Sequence, residues 1–337
     1  AVVGGVVLAG VALALGVRTV QRNRDYRDEL GMWEDVVACA PDNARAHRNL
    51  GFLLVKRGEN ARAIEHLRRA IALSPEYPEA HGNLGDALRA VGNVDEALTH
   101  YQAVLAVEAN HPRIHYEVAQ LLQQKGRWAE AFEHYEAALR AWPRNARVWD
   151  SYGVARVMAD DFAGAVPLFR RAIAADPHLH VAHLHLGLAL EAIGEERDAV
   201  AALREALRLN PQAARALRGL VRILTAPSDP ALREPAEALR LAEQLTAGGA
   251  RGTADDLALL ASARAHAGSF EAAVAAAEQA RTLAASAGDE ERRLEIERQL
   301  ACYRGGRLCE EATEPARAPS PQAAPREKPL TDRADPR

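Results

Sequence analysis

Histidine is the residue type with the most obvious chemical potential in this sequence, at twelve positions in 337 residues. His47, His81, His115 and His183 fall on one line of 34-residue steps, with Trp149 at the remaining step, and His66, His100 and His134 form a second line. Imidazole serves as a general base near neutral pH and as a metal ligand. A zinc ion, however, holds its nitrogens at ~2.0–2.1 Å, which residues one structural period apart do not close around. A line that accepts Trp reads as a packing position. The denser run His178, His180, His183 and His185 straddles a Pro-initiated turn and a helix start, with Asp176 nearby. Neither ligand count nor geometry defines a site there, so no metal is assigned. Cys39, Cys302 and Cys309 contain no Cys-x-x-Cys pair, and three cysteines in so long a chain do not suggest a disulfide framework. The sequence has no His-Glu-x-x-His, no glycine-rich phosphate loop and no Gly-x-Ser-x-Gly. No catalytic residue and no cofactor are expected.

A second group of residues suits binding. On the expected inner face of successive helices stand Arg45, Arg48, Asn49, Phe52 and Lys56, then Glu79, Asn83, Asp86 and Arg89, then Arg113, Tyr116, Glu117, Gln120 and Gln124. Arg147, Asp150, Ser151, His185 and Glu191 continue the series. Long hydrogen-bonding groups on stacked helices can hold an extended peptide by its amides and side chains. The expected groove residues are Arg45, Arg48, Asn49, Lys56, Asn83, Asp86, Arg89, Tyr116 and Gln120, and the expected partner is a protein or extended peptide. A plain solvated face is the competing reading. Lys and Arg total 42 against 46 Asp and Glu, for a net charge of -4, and both signs mix along the face. That balance speaks against a polyanion groove, and no nucleic-acid partner is expected.

The elements that must position these groups follow from an internal period. Gly51, Gly85, Gly153 and Gly187 share one 34-residue lattice, with Ala119 in the open slot. Gly58, Gly92, Gly126 and Gly194 share a second, with Asp160 substituting, and Ala63, Ala97, Ala131, Ala165 and Ala199 a third. Ala70, Ala138, Ala172 and Ala206 form a fourth, interrupted by Val104. Pro41, Pro75, Pro143, Pro177 and Pro211 form a fifth, interrupted by Ala109. This period and pattern resemble those of the tetratricopeptide repeat, a pair of helices that buries its apolar face only by stacking. Five full copies run 44–77, 78–111, 112–145, 146–179 and 180–213. The small residues mark close helix crossings, where overpacking is damaging. The turn glycine takes positive φ to end the first helix, and the Pro stops the second. The expected fold is all-α, a right-handed superhelix of these repeats preceded by a transmembrane helix. Residues 21–43 read as a linker and capping helix, and 214–303 as two degenerate repeats and a closing helix. A Pro-rich break carries Pro227, Pro230 and Pro235. Residues 304–337, rich in Pro and Ala, read as a disordered tail.

Residues 1–17 contain no charged or hydrogen-bonding side chain. A bilayer span needs ~17–25 apolar residues. The favoured reading of 1–20 is a transmembrane helix, the last of several if the chain is part of a longer protein. A signal peptide, which would lack its basic start, and a buried core helix are the rivals. Arg18, Arg22, Arg24 and Arg27 flank one end, and orientation requires the basic count on the other.

The junction is more particular. The apolar segment followed by Tyr26, Glu29, Trp33, Pro41, Asn43, Ala46, Asn49, Leu50 and Gly51 resembles the region where a multispanning glycosyltransferase-like membrane domain passes into its repeat tail. That group includes the transmembrane and tetratricopeptide-repeat O-mannosyltransferases and bacterial relatives. The resemblance implies a membrane-tethered, partner-holding C-terminal region with its repeats on one aqueous side, the extracytoplasmic one. Catalysis would belong to a preceding membrane domain. The alternative is a single-anchor scaffold for envelope or membrane complex assembly. Asn49 and Asn83 also match the asparagine ladder with which the repeats of nucleocytoplasmic N-acetylglucosamine transferases grip peptide backbones, while Glu117, Ser151 and His185 depart from it.

Overall fold

Each 34-residue copy becomes a helical hairpin. The structure is a computed structural model that describes residues 29–247 and 252–309. The chain divides into two compact units between Pro143 and Arg144. The first contains α1 (Glu29–Cys39), α2 (Ala44–Arg57), α3 (Asn60–Leu73), α4 (Pro78–Ala90), α5 (Val94–Val107), α6 (Pro112–Gln124) and α7 (Trp128–Ala141). The second contains α8 (Ala146–Met158), α9 (Phe162–Ala175), α10 (His180–Ala192), α11 (Glu196–Leu209), α12 (Ala214–Thr225), α13 (Pro235–Ala247), α14 (Ala254–His266), α15 (Phe270–Ala287) and α16 (Glu290–Arg304). A 3-10 turn, Pro230–Leu232, separates α12 from α13. The described residues form sixteen helices and no strand.

Local chemistry sets the helix ends. The Asn43 side chain accepts from Ala46 N at 3.0 Å, and Asn145 accepts from Val148 N at 3.2 Å. Each removes an orphan donor at a helix start. Asp160, in the slot that glycine fills elsewhere, takes φ +60, a conformation that short polar residues tolerate best after glycine. The next residue repairs the turn: Asp161 caps Gly164 N at 2.9 Å and receives Arg156 Nη1 at 2.8 Å.

Packing within four of the five regular hairpins rests on a large residue lying against a glycine sixteen positions earlier, and the third has Ala119 in that place. A Cβ on Gly85 would fall 2.5 Å from Tyr101 Cε1, and one on Gly153 would fall 2.4 Å from Phe169 Cε1. Gly51 meets Leu67 and Gly187 meets Leu203 in the same way. Leu67, Tyr101, Tyr135, Phe169 and Leu203 are fully buried, as are all five alanines from Ala63 to Ala199.

One expectation is corrected at the C-terminal end. Cys302 and Cys309 are joined by a disulfide, with Cα atoms 5.4 Å apart. Helix α16 ends at Arg304, and Gly306 takes φ +63 to turn the chain back, so that Cys309 reaches the last helical turn. The loose tail read from residue 304 is thus a defined turn as far as Cys309. The segment expected to cross a membrane, 1–20, lies outside the described residues, as does the tail from 310. Among the described residues no helix is long and apolar enough to span a bilayer.

Ala165→Leu and Gly153→Ala both force new atoms into filled space. Each is expected to lower unfolding stability by about 1–3 kcal/mol, read as a shifted urea midpoint with the folded-state helical signal retained. A midpoint equal to that of the parent chain would contradict this packing.

Candidate functional site

The expected groove residues of the first unit divide into two groups. On α2, Arg48 Nε donates to Tyr77 Oη at 3.2 Å, with its guanidinium 5.7 Å from that ring's centroid. Lys56 Nζ lies 4.5 Å from the centroid of Phe52, which is 37% exposed. Arg45 is exposed, and Asn49 and Asn83 are half-buried. Among the described residues no side-chain hydrogen bond engages Asn49 or Asn83, although each amide offers two donors and an acceptor. Arg48 and Phe52 from α2, Gly82 and Asn83 from α4, and Arg113 and Ile114 from α6 line one cleft of about 190 Å³. Gly82 keeps the cleft open beside Arg113, whose Nη2 would lie 3.3 Å from an added Cβ.

The second group is engaged by neighbouring side chains. Asp86 accepts from Tyr101 Oη at 2.7 Å and from Arg113 Nη1, which lies 3.0 Å from both carboxylate oxygens. Arg89 Nε lies 3.3 Å from Glu117 Oε2. Burial pushes the Glu117 carboxyl above the usual carboxylate range, against the pull of Arg89. Asp86 and Arg89 therefore tie α4 to α6. Gln120 donates to Tyr116 Oη at 2.8 Å, and the Tyr116 ring meets Tyr135 edge-on at 6.2 Å.

In the second unit the equivalent positions are also paired. Asp150 meets His185 Nδ1 at 2.9 Å, and Arg222 binds Glu191 through two contacts of 2.6 Å. The dense histidine run is dispersed: His185 goes to Asp150, while His183 Nε2 donates to Pro177 O at 3.1 Å. Among the described residues no group of three or more His, Cys, Asp or Glu is placed to hold a metal ion.

The structure also makes a connection that the sequence lines did not. The two histidine lines interlock at a spacing of nineteen. Nδ1 of His47 lies 3.1 Å from Nδ1 of His66, that of His81 lies 2.9 Å from that of His100, and that of His115 lies 2.8 Å from that of His134. The first ring of each pair also puts Nε2 within 2.9–3.0 Å of a backbone carbonyl, of Pro41, Pro75 and Ala109 respectively. A carbonyl only accepts, so that Nε2 carries the proton and the facing Nδ1 holds a lone pair. The second ring then donates through its Nδ1–H. Its pKa is lowered in all three pairs, by burial first and by the facing histidine second.

This is the architecture of an α-helical hairpin repeat protein. Family models described as tetratricopeptide repeat match residues 54–121, residues 110–178, and residues 17–78, 153–212 and 184–231. Together they run without a gap from 17 to 231, and the chain belongs to the tetratricopeptide-repeat family. No curated protein matches the sequence. Among solved structures, the C-terminal part of a repeat protein from Cytophaga hutchinsonii is similar at 13% identity and a TM-score of 0.55, covering 67% of this chain and 91% of that one. PilF of Pseudomonas aeruginosa is similar at 21% identity and a TM-score of 0.50, covering 61% and 93%. MamA residues 41 to the end, from Desulfovibrio magneticus RS-1, show 23% identity and a TM-score of 0.48, covering 50% and 96%. At these identities the likeness is one of fold.

The dyads predict an acid sensitivity. Unfolded histidine titrates near 6.5, whereas His66, His100 and His134 titrate lower in the fold. Below that value the unfolded chain binds more protons, so stability is full above it and falls as pH drops through 6.5 toward the lowered values. With chelator present, the urea midpoint should fall further between about pH 7.5 and 5.5 in the parent chain than in a His66→Ala, His100→Ala, His134→Ala variant. Parallel pH curves would refute the assignment.

Proposed function

We propose that the inner helix face of the first unit binds an extended segment of a partner protein. The observation behind it is the pair Asn49 and Asn83, equivalent residues one repeat apart, Asn83 lining the cleft and Asn49 following its Arg48 in the chain, both without a side-chain hydrogen bond among the described residues. A peptide backbone presents alternating donors and acceptors, which a row of carboxamides matches. Phe52, with Lys56 over its ring, adds apolar surface at the rim. Asn49→Ala with Asn83→Ala, assayed against peptides selected on the parent chain, should weaken binding by roughly thirtyfold, at about 1 kcal/mol per lost bond, with the helical melt unchanged. Unaltered affinity would reject the reading.

The finer context of this reading is a membrane-tethered region that holds partners or substrates for a glycosyltransferase-like membrane domain. Its support is the resemblance around Tyr26, Glu29 and Trp33. The reading frame upstream of Ala1 tests it. Further apolar helices and an acidic loop support it, whereas a start codon beside Ala1 favours the single-anchor scaffold.

The side of the membrane has a separate indicator. A structural disulfide persists in oxidising compartments and is rare where thiols are kept reduced. The Cys302–Cys309 bond supports placing the repeats on the extracytoplasmic side. In protein isolated under thiol-trapping conditions, alkylation should label Cys39 directly and the other two cysteines only after reduction. Labelling of all three before reduction would count against this placement.

A further inference from the structure

The histidine dyads are not a requirement of the repeat. The fourth copy fills the two positions with Trp149 and Leu168, and the fifth with His183 and Ala202, yet both fold as the same hairpin. What the first three copies gain is a pair of imidazole nitrogens aimed at one another. We propose that each dyad, His47–His66, His81–His100 and His115–His134, is a two-nitrogen site for a tetragonal divalent metal ion, copper(II) in the first place.

Three features support it. The first is separation. Two nitrogens each about 2.0–2.1 Å from one ion lie about 2.9 Å apart at a right angle and about 3.4 Å apart at a tetrahedral angle. The dyads show 3.1, 2.9 and 2.8 Å. A right angle between nitrogen ligands belongs to square-planar or tetragonal copper(II) and nickel(II) rather than to zinc. The second is orientation. Metal-bound imidazoles characteristically donate the remote N–H to a carbonyl or carboxylate. His47, His81 and His115 already donate Nε2–H to a backbone carbonyl.

The third is the second ring. Binding displaces the shared proton from Nδ1 to Nε2 of the same imidazole, so no proton is lost from the dyad; at a right angle the ion sits beside the line joining the two nitrogens, and each ring turns its lone pair toward it. In the second dyad the new Nε2–H faces a carboxylate, because Glu96 Oε1 lies 3.8 Å from His100 Nε2. Glu130 acts on His134 from the same relative position. In the first dyad that position is Arg62, which binds Glu34 and Glu59 and opposes positive charge on His66. The first site is therefore the weakest of the three. Water completes each ion's coordination, since the second rings are only partly buried.

The test is titration of the full chain with copper(II), in a non-coordinating buffer near neutral pH, by calorimetry and electron paramagnetic resonance. The control is His66→Ala, His100→Ala, His134→Ala, which copies the His183–Ala202 arrangement and leaves His178, His180 and the chain terminus as background. The parent should bind three more ions than the control at micromolar copper, with nitrogen hyperfine structure. Each single substitution should remove one ion, His66→Ala the weakest, and these keep the test decisive if the triple variant does not fold. Equal stoichiometry in parent and variants, or uptake only at millimolar copper, would overturn the proposal and leave the dyads as hydrogen bonds alone.

Discussion

In four of the five regular hairpins, one bulky side chain of the second helix seated on a bare glycine of the first sets how closely the two helices approach; the third has Tyr135 sixteen positions after Ala119. Tyr101 on Gly85 and Phe169 on Gly153 leave no space for even a methyl group. Everything functional depends on that closeness. Close approach of the two helices brings the nitrogens of residues nineteen apart into contact, in the third hairpin with Ala119 in the glycine's place. A solenoid unit has no other source of such order, because each hairpin touches only its neighbours.

Once the hairpins are closed, their polar groups must be apportioned between holding the repeats together and meeting a partner. The Tyr101 hydroxyl shows the link, for it leaves the buried stack to donate to Asp86. Asp86 then also holds Arg113 of the following inner helix. Such a partly buried ionic contact gives register more than stability. The exposed pairs on the outer helices, such as Arg68 with Glu96 at 2.7 Å, contribute little by comparison. Among the inner-face groups of the first unit that no such contact engages are the neutral amides of Asn49 and Asn83, beside the exposed charges of Arg45 and Glu79.

The repeat was legible because its physics is periodic. A glycine recurring every 34 residues, with an alanine twelve further on, has no simpler explanation than stacked hairpins, and the family matches agree. The individual partnerships were less so. Asp86 and Arg89 look from the sequence like free groove residues, because a helix face gives direction but not the reach of Arg113 and Glu117 from the next repeat. The histidine lines were visible, yet comparison along each line hid the contact between lines. The offset of nineteen was the available signal, and it needs the hairpin's turn geometry to be converted into a distance. The Cys302–Cys309 bond was missed for a related reason: a separation of seven fits no metal or redox motif, and only the reversal at Gly306 brings the sulfurs together.

The two proposed uses of α2 are compatible on geometric grounds. Successive residues of an α-helix are about 100° apart around its axis, so His47 and Asn49 project roughly 200° apart. The ring of His47 is directed into its own hairpin, toward α3, whereas Arg48 and Phe52 of the same helix line the cleft with α4. A bound ion would join the two helices of one hairpin, and a bound peptide would bridge the inner helices of successive hairpins. Occupancy of one site does not compete for the atoms of the other. Any coupling between them would have to pass through the glycine-seated packing that both share.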